Sequence, residues 1–138
     1  MDKKILLCVS GGIAAYKAID LASRLTKDGC RVKTILTESA TQFVSPLNFS
    51  TITHNSVHSS LFTDTDPIPH ITLADWADKI VVAPATANIL AKAAHGIGDD
   101  LLSTTLLASH SPVLFVPAMN VNMYRNSATQ ANMDILRQ

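Results

Sequence analysis

Ile5-Leu6-Leu7-Cys8-Val9, followed at once by Ser10-Gly11-Gly12, is the stretch on which the fold turns. Five apolar residues in a row show no polar alternation, so a strand made of them must be covered on both faces. That is the situation of a strand inside a parallel sheet with helices on either side. Ser10-Gly11-Gly12 stops the run, and beyond it Ile13, Tyr16, Ile19, Ala22 and Leu25 recur at close to helical spacing over residues 13–27. Gly29 suits the end of that helix. A buried strand, a glycine turn and an amphipathic helix make a cradle for an anion. Glycine lets the backbone come close, and a helix start offers N–H groups with no internal partner. The helix dipole adds about 0.3–1 kcal/mol for a nearby charge. The turn follows neither the G-x-G-x-x-G fingerprint nor the P-loop pattern, and a plain tight turn stays open as its other reading.

Working outward, residues 32–36 form a second strand, and Thr37-Glu38-Ser39-Ala40 follows with Thr37 or Ser39 able to cap a helix. Over 46–69, Phe49, Ile52, Val57, Leu61 and Phe62 are spaced for short helices or turns, and Asp64-Thr65-Asp66-Pro67 with Pro69 marks a loop. Residues 71–77 read as a short helix carrying Trp76, 80–83 as a third strand, and 89–95 as a helix closed by Gly96 and Gly98. Asp99 is the expected N-cap of a helix over 100–108, residues 113–116 are a fourth strand, and 127–137 can be a last helix. Strands alternating with helices predict one domain over 1–138. The expected class is α/β, a three-layer flavodoxin-like (Rossmann-like) parallel sheet with helices on both faces and right-handed crossovers. Four strands are one fewer than such a sheet comfortably holds. The last segment is followed by no further strand, so one edge is expected to be open or covered by a partner.

Composition narrows the classes. Of 138 residues, 47% are apolar and only 16% charged, so surface charge is thin, as suits a subunit that buries faces in an assembly. Eleven basic and eleven acidic side chains cancel, and no basic tract points to nucleic acid. Cys8 and Cys30 do not make a disulfide framework, which predicts a reducing compartment and a cytoplasmic protein. The first apolar run is too short for a signal peptide or a membrane span. His54 and His58 are four apart, but no third ligand is evident, so no metal is expected. No Ser-His-Asp, Cys-His or paired-carboxylate arrangement is readable by position.

In a parallel sheet, ligands bind beyond the carboxyl ends of the strands. All four strands end in unusual segments: Ser10-Gly11-Gly12, Thr37-Glu38-Ser39, Pro84-Ala85-Thr86-Ala87-Asn88 and Pro117-Ala118-Met119-Asn120. Ser10, Thr37, Ser39 and Thr86 carry hydroxyls that suit either a phosphate or polyol, or helix capping. His70 stands in a polar loop with no apolar face to explain it, whereas Lys17, His95 and His110 read as surface or peripheral residues. Asn120, between Met119 and Met123, offers an amide donor to a carboxylate or simply a helix cap.

These segments carry a resemblance. Ser10-Gly11-Gly12-Ile13-Ala14-Ala15-Tyr16-Lys17, Thr37-Glu38-Ser39-Ala40, His70-Ile71 with Trp76-Ala77-Asp78, Ala83-Pro84-Ala85-Thr86-Ala87-Asn88, Gly98-Asp99-Asp100-Leu101-Leu102-Ser103-Thr104 and Pro117-Ala118-Met119-Asn120-Val121-Asn122-Met123-Tyr124 run nearly the whole chain. In that order the sequence resembles the flavin-dependent cysteine decarboxylases, above all the phosphopantothenoylcysteine decarboxylase domains of coenzyme A biosynthesis. The resemblance implies FMN bound between subunits of a homotrimer or dodecamer, with a small-molecule substrate. It implies FMN contacts from Ser10, Gly11, Gly12, Ile13, Thr37, Ser39, Phe43, Thr86, Ala87, Asn88 and Met119. It makes His70 and Asn120 the catalytic pair, Asn120 gripping the substrate carboxylate.

The implied chemistry suits these residue types. A cysteine carboxylate has no electron sink, and oxidising the thiol-bearing carbon to a thioaldehyde creates one. Loss of CO₂ then leaves an ene-thiolate to be reduced. Relatives continue through another strand and a substrate-covering flap with a cysteine, and some through a phosphopantothenate–cysteine ligase domain. Here no cysteine follows Cys30, so flap and flap cysteine are expected to be missing, the sequence being either a fragment of a longer protein or a truncated product of reduced or altered activity. Two alternatives remain: decarboxylation of a peptide's C-terminal cysteine, or a non-catalytic flavin-binding subunit.

Overall fold

The computed structural model describes residues 2–61 and 68–138. Phe62 and the Asp64-Thr65-Asp66-Pro67 part of the expected loop lie outside the described residues. The elements run β1 (Lys4–Val9), a 3₁₀ turn (Ile13–Tyr16), α1 (Lys17–Lys27), β2 (Arg31–Leu36), a second 3₁₀ turn (Ala40–Gln42), α2 (Pro46–Thr53) and β3 (Val57–His58). Then come α3 (Pro69–Trp76), β4 (Lys79–Ala85), α4 (Ala87–His95), α5 (Leu101–Ala108), β5 (Val113–Pro117), α6 (Val121–Arg125) and α7 (Ser127–Leu136). The strands form one sheet in the order β3-β2-β1-β4-β5, every pair parallel. The chain thus winds one way from β1 to β3 and the other way from β4 to β5. The gap between the exits of β1 and β4 is the topological switch point, where such sheets hold ligands.

The uninterrupted apolar run of β1 is used on both faces. Leu6 and Cys8 join a core with Leu73 of α3, Leu90 of α4, Leu102 of α5 and Met133 of α7. Ile5, Leu7 and Val9 join a second core with Ala18 and Ala22 of α1 and Phe49 of α2. Each large side chain withdrawn from water in this way is worth about 1.5–3 kcal/mol. Burial also pushes the Cys8 thiol well above its usual range, so it stays a neutral, inert thiol.

Several elements differ from the sequence expectations, each for a local reason. A fifth strand exists, because Val57–His58 pairs with Thr34 and Ile35 at the sheet edge. Two residues are too few to show a period. The first helix opens as a 3₁₀ turn before α1 begins at Lys17. Asp100, not Asp99, caps α5: its Oδ1 accepts the Ser103 N–H at 2.7 Å, and the Ser103 hydroxyl accepts the Asp100 N–H at 3.2 Å. A reciprocal cap needs a polar side chain three residues on, and Asp99 has Leu102 there. Pro69, expected in a loop, begins α3, where a missing N–H costs nothing. An additional short helix, α6, follows β5.

Candidate functional site

Two adjoining cavities open at the switch point and share Gly11 and Thr86 on their walls. The first, about 620 Å³, is lined largely by apolar groups, among them Ile13, Tyr16, Met119 and Met123. The second, about 460 Å³, is lined by Ser39, Thr37, Asn88, Lys92, Asp99 and their neighbours. Together they make a two-part site, one half suited to a flat apolar ring and the other to a polar, charged tail.

Backbone geometry shapes the shared wall. A Cβ on Gly11 would fall 2.5 Å from the Cβ of Ser39, so only glycine lets the exits of β1 and β2 approach this closely. Gly12 has φ 137°, a region open to glycine alone, and a Cβ there would meet nothing within 4 Å. Ser10, 2% exposed, ties the two halves of the sheet together. Its hydroxyl donates to the Pro84 carbonyl at 2.6 Å and accepts the Thr86 N–H at 3.1 Å. Both of those residues lie 74 or more positions further along the chain. Pro84 itself follows a cis peptide bond.

The hydroxyls divide by duty. Thr37 Oγ1 accepts the Ala40 N–H at 3.0 Å, and Thr86 Oγ1 caps α4 by accepting the Ile89 N–H at 3.2 Å. Ser39 precedes the second 3₁₀ turn but makes no side-chain cap bond. The opening N–H groups of a helix have no acceptor within it, so Ala87 and Asn88 bring such donors to the two cavities. Phe43, 51% exposed, stands at the edge of the polar cavity. Asn120 lines the apolar cavity and also caps α6, its Oδ1 accepting the Met123 N–H at 2.9 Å. That bond fixes the orientation of the amide and leaves its NH₂ as a donor.

His70 stands apart. It is the second residue of α3, lines neither cavity, and its Nδ1 is buried without a hydrogen-bond partner. The remaining sequence candidates, Ser10 to Ile13, Thr37, Ser39, Phe43, Thr86 to Asn88, Met119 and Asn120, all line one cavity or the other. Residues that the sequence reading did not select also line them. Lys17, read as a surface residue, is exposed and also lines the apolar cavity at the start of α1. Lys92 and Asp99 enter the polar cavity from α4 and the turn before α5. Nothing in the local sequence marks Lys92, and Asp99 reads there only as a helix cap, because the packing of α4 beside α5 is what brings both to the polar cavity.

Electrostatics in the polar cavity are set by one triad. Lys92 Nζ lies 2.8 Å from Asp99 Oδ1 and 3.1 Å from Asp100 Oδ2. The hydrogen bond to Asp99, with help from Asp100 and against the cost of burial, holds the Lys92 ammonium above the usual lysine range. Burial by itself would raise the Asp100 carboxyl, but bonds from Ser103 and Lys92 outweigh it and hold the group below its ordinary value. Among the described residues no cluster of three or more His, Cys, Asp or Glu could hold a metal. Likewise no helix among them is long and apolar enough to cross a membrane.

Beyond its cavities, the sheet leaves an apolar face uncovered. Val113 and Phe115 of β5 pack onto the first core, while Leu114 and Val116 on the opposite face are 60% and 43% exposed. Ile13, Tyr16, Val121, Met123 and Tyr124 are exposed as well.

Comparison with known proteins agrees with this layout. The chain is 52% identical over 139 residues to the coenzyme A biosynthesis bifunctional protein CoaBC of Bacillus subtilis, aligning 99% of this chain with 34% of that protein. It thus spans about a third of the length of that relative. It is 46% identical over 142 residues to a Streptococcus mutans protein named probable phosphopantothenoylcysteine decarboxylase, covering 100% of this chain and 79% of the other. Among solved structures it superposes on the FMN-dependent cysteine decarboxylase SpaF with a TM-score of 0.91 at 34% identity, covering 98% of this chain and 79% of that one. The family model for flavoproteins matches residues 1–138, so the chain, from the glycine turn of β1 to the end of α7, belongs to the flavoprotein family.

Proposed function

We propose that this chain binds FMN at the switch point and decarboxylates 4′-phosphopantothenoylcysteine to 4′-phosphopantetheine in coenzyme A biosynthesis. The observation that carries the reading is the pair of adjoining cavities, one apolar and one polar, sharing Gly11 and Thr86. Their division matches a ligand with a flat ring at one end and a ribityl phosphate at the other. The donor set fits as well: the uncommitted Ser39 hydroxyl and the first N–H groups of α4 suit a phosphate, and Met119 and Met123 suit a ring face. When bound, FMN supplies the two-electron redox chemistry that makes C–C cleavage beside a thiol feasible.

The chain's own residues do the rest. Asn120, with Oδ1 held by Met123, directs its NH₂ toward a carboxylate and fixes the departing group. His70 handles the proton at the substrate thiol. Because His70 lines neither cavity of its own chain, its partner in catalysis is the cavity of a neighbouring copy. This reading makes the protein a homotrimer or a larger assembly, and the exposed apolar face of β5 and α6 is the surface such copies bury. By the same reading the unit works in the cytoplasm, beside a phosphopantothenate–cysteine ligase domain as part of a bifunctional protein.

The test is reconstitution. Purified chain mixed with FMN is expected to hold an equimolar yellow flavin and to release CO₂ from phosphopantothenoylcysteine, and His70→Asn should abolish that release. A colourless protein that cannot be reconstituted defeats the proposal. CO₂ released only from a peptide ending in cysteine would reassign the substrate.

A further inference from the structure

The polar cavity has a charge problem that its proposed occupant makes worse. Glu38, Asp99 and Asp100 bring three carboxylates to its walls, and Lys92 is the cationic side chain among the described lining residues. A flavin phosphate adds further negative charge to that set. Like charges in a confined site repel by several kcal/mol when nothing separates them. Lys92 is built to offset this. Its side chain is 17% exposed, it springs from α4, and it reaches both Asp99 and Asp100 in ion-pair contact. Asp100 is committed to capping α5, so its carboxylate cannot leave the cavity without loosening that helix.

We propose that Lys92 is the positioning residue that makes this cavity accept a phosphate, so that the site prefers FMN over uncharged riboflavin. The inference rests on the cofactor reading above and goes beyond it by assigning phosphate selectivity to a side chain. Lys92 does this through its neighbours: it clamps Asp99 and Asp100, neutralises one of their two charges, and leaves the α4 N–H groups and Ser39 to contact the phosphate. The raised affinity of its ammonium for a proton keeps it charged throughout the neutral range.

The experiment titrates FMN and riboflavin against wild type and Lys92→Met, following flavin fluorescence. Two uncompensated carboxylates should weaken FMN about tenfold or more, while riboflavin changes by less than about twofold. Added salt should strengthen FMN binding to Lys92→Met clearly more than to wild type, since screening relieves the larger repulsion. Lys92→Arg should restore FMN binding, and adding Asp99→Asn to Lys92→Met should recover part of it. Equal losses for both flavins, or an unchanged salt response, would mean that Lys92 only braces α4 against α5 and would overturn the assignment. Wild type that binds neither flavin would overturn the cofactor reading itself, and this inference with it.

Discussion

β1 and β5 look alike as sequences and live in different surroundings. Ile5-Leu6-Leu7-Cys8-Val9 and Val113-Leu114-Phe115-Val116 are both unbroken apolar runs. In β1 every one of those residues is buried, Leu6 to Val9 completely. In β5 only one side is covered, and Leu114 keeps 60% of its surface open. The helices explain the difference. α1 and α2 cover β1 and β2 on one face, and α3, α4, α5 and α7 occupy the other, so no helix among the described residues covers the outer part of β4 and β5 on the α1 side. An apolar pattern states that a surface must leave water; it does not state whether the same chain or another one will cover it. The bare face of β5 is the surface that the proposed assembly would bury.

The largest test of this contrast is on stability. Leu7→Ala should cost about 2–5 kcal/mol in urea unfolding, since its cavity cannot collapse inside a two-sided core. Leu114→Ala, compared in dilute monomer, should cost under about 1 kcal/mol because its side chain is already wet there. Equal costs would erase the distinction between the strands. A second test asks who covers β5: Leu114→Glu should leave the monomer folded by circular dichroism but lower the assembled mass seen by light scattering. An unchanged mass would show that this face is not the one copies share.

A smaller effect belongs to the rim between the strands. Thr86→Ala removes the α4 cap and should cost about 1 kcal/mol, while loosening FMN at the cavity wall. The smallest is a pH effect. Asp100 is held below its ordinary pKa, so its folded-state advantage is present above about pH 4 and is lost as the pH falls through its lowered folded value. Because the group is partly exposed, solvent screens it and the loss is modest. Asp100→Asn should flatten the acid limb of a stability–pH curve and leave the neutral region's slope alone. Lys92 acts in the opposite sense: its contribution persists through neutral pH and fades only at alkaline pH above the usual lysine range.

Much of the site was legible because its residues announce themselves locally. Gly11-Gly12, Thr86 and Asn120 sit where strands stop, and a strand exit in a parallel sheet is where ligands bind. Asn120 caps a helix and lines a cavity with the same amide, so the expected cap is present and the expected carboxylate grip is left to experiment. Ser10 was legible as a polar residue of the turn, but not as the tie that joins β1 to β4 across 74 positions. The β3 strand escaped because two residues in a polar stretch carry no pattern, and its pairing comes from β2 alone.

By itself, the amino-acid order determined the layers and the location of the site. Unbroken apolar strands must be covered on both faces, and glycine and hydroxyl residues at their exits must meet at one rim. What only the tertiary structure decided is which distant groups share that rim and which apolar face stays bare. Lys92 reaches the β1 exit only because α4 packs beside α5, His70 lies off its own chain's cavities, and β5 is covered on one side. Local patterns encode burial and turning, which act over a few residues. Charge pairing and the sharing of a site are set by distances in space that neighbouring residues do not record.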